Sequence, residues 1–191
     1  ATFNARWNHL FSNKLFSNLS FIYSDYFYGF ELDFIGFTWD SNIRNYNIKY
    51  DFKNYVSNNL KLDYGVSAIY YDFNPGVISP NSPDSGINYF ELDKKYAFEP
   101  AIYINAEQEI SEKISINYGL RYSMFYRMGT STVNIYEDNN PVVFNSDFQI
   151  YEKGTPIATE FYGKNKVIAS YDNFEPRFSI NYEFRPNQSF Q

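Results

Sequence analysis

No cysteine occurs in this chain of 191 residues, and it has a single histidine, His9. A disulfide framework and a thiolate metal site are thereby excluded, and one histidine without cysteine leaves none of the commonest transition-metal clusters. Long apolar runs are missing as well. The mean hydropathy is -0.49, and nowhere does the chain hold the roughly 18–20 consecutive apolar residues that a membrane-spanning helix needs. Basic residues are outnumbered, with 16 Lys and Arg against 22 Asp and Glu for a net charge of -6. That balance argues against nucleic acid as a partner. There is no GxSxG, no HExxH and no Gly-rich phosphate loop, so no enzyme signature stands out. No signal peptide is visible either, because Ala1 to Arg6 already reads as strand.

What is abundant is tyrosine and phenylalanine, 20 of each, and they recur at every second position. From Ile114 to Arg127 the apolar set Ile114, Ile116, Tyr118, Leu120, Tyr122, Met124 and Tyr126 alternates with Ser115, Asn117, Gly119, Arg121, Ser123, Phe125 and Arg127. Period two marks a strand with one apolar and one wet face. A tilted strand crosses a bilayer in roughly 9–11 residues, so this stretch is long enough to do so. A barrel's polar inner face hides its lipid face from any hydropathy average. The fold expected is therefore an all-β, antiparallel transmembrane β-barrel segment in the bacterial outer membrane.

The same pattern predicts seven strands and the start of an eighth: about Thr2–Leu10, Phe16–Tyr28, Asn42–Phe52, Leu60–Phe73, Lys95–Glu109, Ile114–Arg127 and Tyr171–Phe184, then Gln188–Gln191. Connections alternate in length. Short ones fall at Ser12–Leu15, Lys53–Asn59, Ser111–Lys113 and Arg185–Asn187, and long loops are expected at Gly29–Ser41, Asn74–Lys94 and Met128–Ser170. Short turns on one rim and long loops on the other is how outer-membrane barrels sort their connections. Phe98-Glu99-Pro100 and Phe174-Glu175-Pro176 each run on to an Ile-Asn pair at equal spacing. Proline inside a strand calls for an edge, bulge or strand end, so both prolines are expected near the upper rim. Seven strands and a stub cannot close without an unpaired edge in lipid. The whole chain, 1–191, is thus expected to be a barrel segment without a plug domain, rather than a complete eight-stranded barrel.

At Phe174-Glu175-Pro176-Arg177-Phe178-Ser179-Ile180-Asn181-Tyr182 the chain resembles the barrel of TonB-dependent outer-membrane receptors. Its texture is similar to the SusC/RagA-like and related branch, and Tyr118-Gly119-Leu120-Arg121-Tyr122 is similar to their ascending strands. The resemblance implies a 22-stranded barrel around a plug, energy delivered through the TonB complex by a part not in this sequence, and uptake of a nutrient such as a siderophore, glycan or peptide. It implies no cofactor. The competing expectation is a structural or assembly barrel that docks a surface lipoprotein or other envelope protein through its long loops. A soluble carbohydrate-binding module fits the long strands and sorted loops poorly.

Candidate residues follow from the faces. Lys49, Lys61, Glu99, Glu107, Arg121, Arg127 and Arg177 are expected to face the lumen and meet water or a plug, with Arg127 and Arg177 candidates for a substrate carboxylate. Tyr136, Phe144, Phe148, Tyr151, Phe161 and Tyr162 lie in the longest loop and are candidates for recognition. His9 reads as a rim or lumen residue. Asp63 with Glu99, or Glu175 with Glu183, could suggest acid–base chemistry, but mixed charges are ordinary on a barrel wall. Asp138-Asn139-Asn140 reads as a turn more readily than as a calcium loop.

Overall fold

A computed structural model describes residues 1–185 and 188–190, with side chains through Phe184. One antiparallel sheet dominates, built from β1 (Thr2–Ser12), β2 (Leu15–Leu32), β3 (Phe37–Ser57), β4 (Leu60–Pro80), β5 (Phe90–Glu91), β6 (Lys95–Ser111), β7 (Ile114–Met128), β12 (Val167–Arg185) and β13 (Gln188–Phe190). The order is β1-β2-β3-β4-β6-β7-β12-β13, with β5 folded back onto the upper end of β4. Strands that follow one another in sequence lie side by side, as short hairpin connections require. The path is open, with β1 and β13 at opposite ends.

The short turns share one device. Ser12, Ser57 and Ser111 each accept a hydrogen bond at the hydroxyl oxygen from the backbone N–H two residues on, at 3.2, 3.3 and 3.3 Å. In each hairpin the ladder register shifts at that serine. A hydroxyl that satisfies a turn N–H holds a tight reversal where the ladder has no partner to offer. The fourth expected turn includes Pro186 and Asn187, which lie outside the described residues, as does Gln191 of the eighth strand.

The long connections differ from expectation. Gly29–Ser41 is not a loop: β2 and β3 stay paired from Leu15↔Asn54 to Leu32↔Phe37 without a register break. Asn74–Lys94 begins as strand, because β4 continues to Pro80 through a bulge at Pro75-Gly76, where the register to β3 steps between Asn42↔Asn74 and Asp40↔Val77. Met128–Ser170 folds as two nested hairpins, β8 (Ser131–Ile135) with β11 (Ala158–Tyr162) and β9 (Val142–Asn145) with β10 (Ile150–Lys153). Asp138-Asn139-Asn140 is a turn, as expected: Glu137–Asn139 forms a single 3-10 turn with Asn140 as its C-cap. Continuing the ladder satisfies backbone groups that a loop would leave to water.

The prolines also sit differently, inside strands and not at their ends. Pro100 pairs with Ala68 of β4, while the pairing to β7 lapses between Phe98↔Tyr126 and Ala101↔Ser123. The missing N–H thus falls on the β7 side. Pro176 pairs with Leu120 of β7, and its nitrogen points to the other side, where β13 reaches only as far as Tyr182. Pro100 therefore interrupts the ladder to β7 for two residues, whereas Pro176 leaves its ladder to β7 unbroken.

Candidate functional site

Register assigns the faces. Trp7, Leu19, Tyr50, Val66, Ile102, Tyr122 and Phe174 are direct cross-strand partners, one from each of seven strands. Every one is apolar or aromatic, and nothing covers the row: Trp7 is 57% exposed, Ile102 55% and Phe174 62%. The hydrophobic residues buried among the described ones are only Ala101, Ala106 and Met128. This face has no core beneath it. Four residues along the strands runs an aromatic row, Phe3, Tyr23, Tyr46, Tyr70, Phe98 and Tyr126, with one row of the same face between. Tyr23 and Tyr46 pack at 5.2 Å and Tyr46 and Tyr70 at 6.4 Å between ring centroids.

The opposite face is polar. Asn8, Asn18, Asp51, Gly65, Tyr103, Arg121 and Glu175 form one row across the same seven strands. Asn18 donates to Asn8 at 2.7 Å. The Tyr103 hydroxyl reaches across β4 and donates to Asp51 on β3. Gly65 lies between them, and a Cβ there would stand 3.0 Å from that hydroxyl and 2.5 Å from the Tyr50 carbonyl oxygen. Only glycine leaves the tyrosine room to lie flat over the strand. Lys49 sits 3.0 Å from Asp51 and 5.6 Å above the Tyr103 ring. Glu175 accepts from Ser123 at 2.8 Å and lies 3.7 Å from Arg121 and 3.6 Å from Arg177.

Arg6 of β1 and Arg177 of β12 line one cavity of ≈ 630 Å³ with Lys49, Lys53 and Arg121, so the sheet curls around its polar face. Asp51 and Asp63 are the carboxylates of that lining. Five cations against two carboxylates is a local excess of positive charge in a chain of net charge -6.

All seven charges expected on the inner side share this face by register. Lys49, Arg121 and Arg177 line the cavity. Lys61 and Glu107 pair with each other at 2.6 Å nearer the short turns, and Glu99 accepts from Tyr71 at 3.1 Å. Arg127 stands apart. It pairs in register with Ala97 and Ala169, whereas Arg177 lies opposite Gly119, far down the same strand. The two arginines do not form one carboxylate site. Asp63 and Glu99 also diverge, opposite Asn105 and Ile69. His9 is on the apolar face, not the polar one, with its ring 5.4 Å from Trp7 and 4.4 Å from Phe11.

The six loop aromatics do not gather either. Phe144 and Tyr151 face each other across β9–β10 with ring centroids 5.2 Å apart, and Phe148 lies in the turn between. Tyr136 accepts at its hydroxyl from Asn134 at 3.3 Å. Phe161 and Tyr162 are successive on β11 and so point to opposite sides. The Tyr162 hydroxyl donates to Glu160 at 2.8 Å, and that bond, with lesser desolvation, raises its pKa.

Sequence reasoning missed a reversal of faces above the aromatic row. There, the side continuous with the apolar face carries Asp25–Arg44–Asp72, then Asn42–Asn74 beside Phe27, then Glu31–Thr38–Ser79. The side continuous with the polar face carries Tyr26–Ile43–Phe73, Tyr28–Ser41, and Phe30–Trp39–Ile78–Phe90. Phe30 stacks on Trp39 at 5.8 Å, and Tyr28 and Phe37 lie 6.2 and 6.1 Å from Phe30. Trp39 lies flat against Gly76, where a Cβ would come within 2.8 Å of the indole. The signal was Tyr26-Phe27-Tyr28, three aromatics in succession where alternation had been regular.

No family model matches this chain, and no curated protein or solved structure matches it either.

Proposed function

We propose that this chain is a stretch of wall from an outer-membrane nutrient receptor of the TonB-dependent kind, working as a barrel around an aqueous interior. The observation that carries the reading is the uncovered apolar row across seven strands, backed by a polar face that is hydrogen-bonded and charged. Monomeric soluble proteins rarely leave an apolar surface of that extent in water. A barrel wall does so because lipid is its solvent.

Dimensions agree. From the tyrosine row at Tyr46 to the row Asn54–Leu62–Ala106–Tyr118–Phe178 is eight residues of β3. At about 3.3 Å per residue and a tilt near 40°, that is a band about 20 Å tall, close to the roughly 25 Å apolar band of such barrels. Tyr23, Tyr46, Tyr70 and Tyr126 then form a girdle at the outer interface, where an amphipathic ring is at home. The serine turns lie on the periplasmic side, and the ends of β2–β5 and the β8–β11 hairpins stand outside. Uptake driven by the TonB complex, around a plug, is the function this wall would serve.

The chain's lack of cysteine makes the test direct. Single cysteines placed from Val66 to Ile69 are to be labelled in intact outer membranes with a membrane-impermeant maleimide after osmotic opening. Positions 67 and 69 should react and 66 and 68 should be shielded by lipid. Uniform labelling at all four positions, or a folded chain that stays in buffer without detergent, would overturn the reading.

A further inference from the structure

We infer that the aromatic side of the β2–β5 extension and the cationic concave face below it form one binding path for an acidic oligosaccharide. The inference rests on the barrel reading, which makes this side the one that overlooks the interior. The two surfaces are continuous. Descending β2 and β3 on one side, the rows run Phe30–Trp39, Tyr28–Ser41, Tyr26–Ile43, Ser24–Asn45, Ile22–Asn47, Ser20–Lys49 and Asn18–Asp51.

The upper rows set exposed ring faces among neutral hydroxyl and carboxamide groups. Tyr26 is 65% exposed, Tyr28 56% and Phe90 56%. Flat apolar C–H faces edged with hydroxyls, which is what a pyranose chain presents, match both kinds of group at once. A hydrocarbon tail would leave Ser24 and Asn45 without hydrogen-bond partners, whereas Ser41 already donates to the Asn74 carbonyl oxygen at 2.9 Å. An extended peptide binds by adding to a free strand edge, and here β3 is already paired on both sides. The lower rows supply charge. Arg6 and Lys53 have no carboxylate within ion-pair distance among the described residues, whereas Lys49, Arg121 and Arg177 each have one. Unpaired cations beside a roomy cavity favour carboxylate substituents on the ligand.

The chain has two tryptophans, Trp7 and Trp39, and they lie on opposite faces. With Trp7→Phe, emission reports on the aromatic wall alone. The full chain in detergent micelles is to be titrated with tetragalacturonate, with an uncharged galactose tetrasaccharide and with inorganic tripolyphosphate. We expect tetragalacturonate to shift Trp39 emission saturably and to bind at least tenfold more tightly than either control. Arg6→Gln with Lys53→Gln should erase the preference over the neutral sugar, and Trp39→Ala, read by calorimetry with circular dichroism as the folding control, should weaken tetragalacturonate at least tenfold. Equal binding of the neutral sugar, equal binding of tripolyphosphate, or no binding of tetragalacturonate would each overturn the inference. If the cysteine alternation at 66–69 holds while binding fails, this inference falls alone; if the alternation fails, the barrel reading falls first.

Discussion

Replacing Ile102 by lysine separates a wall in lipid from a sheet in water, because the two solvents give opposite magnitudes. Ile102 is in an interior strand of the uncovered row, the fifth of the seven, and about midway between the tyrosine girdle and the turn-side row. Its side chain is already 55% exposed. In water, lysine at such a site would lay its stem over the same neighbours and put the ammonium in solvent, a change within about ±0.5 kcal/mol. At the bilayer midplane the same substitution costs roughly 2–4 kcal/mol, or roughly 30- to 700-fold in the folding equilibrium. The control is Asn117→Lys on the other face, where residue 117 is exposed and pairs in register with Glu107 and Ser179. That change should stay within about ±0.5 kcal/mol. The assay is urea unfolding in phospholipid vesicles, followed by heat-dependent gel mobility and tryptophan emission. Equal stability of Ile102→Lys and Asn117→Lys would refute the assignment of that row to lipid.

Gly65→Ala should destabilise the sheet by about 1–3 kcal/mol, since its Cβ would press on the Tyr50 carbonyl oxygen and lift Tyr103 from Asp51; the same urea titration reads it. Lys61→Met should cost no more than about 1 kcal/mol, because the pair with Glu107 is partly solvated, and raising the salt should shrink the difference. The Tyr89 phenol, which donates to Glu91 at 2.8 Å, has its pKa raised first by that bond, then by desolvation and the carboxylate charge. A raised phenol stabilises the folded hairpin in full below the ordinary phenol range and ceases to do so as pH climbs through the raised value. Ultraviolet titration of phenolate should show Glu91→Gln bringing Tyr89 back toward its ordinary range.

Alternation made seven strands of the main sheet readable, because one solvent-like environment per face imposes strict period two, as in Ile114–Met128. It failed where the environments exchange sides. At Tyr26-Phe27-Tyr28 both faces are aromatic for three residues, so the ladder up to Leu32 and down from Phe37 read as loop. Pro75-Gly76 read as part of the Asn74–Lys94 loop although it is a bulge inside β4. The seven charges share one side of the sheet, which parity alone decides. Their grouping did not follow, because which charges meet depends on register between strands, and that put Arg127 and Arg177 far apart. The aromatic wall around Trp39 was missed for the first of these reasons.

With only Ala101, Ala106 and Met128 buried among the described apolar residues, this sheet lacks the usual source of a large heat-capacity change. In ordinary domains that change, about 12–15 cal/mol/K per residue, bends the stability curve and places a maximum near room temperature. On the barrel reading proposed above, side chains that face hydrocarbon when folded would leave it only if the strand itself left the bilayer. Melting within the membrane should therefore follow a nearly straight line against temperature, without a cold limb, and calorimetry should find a far smaller step in baseline than the chain length alone suggests.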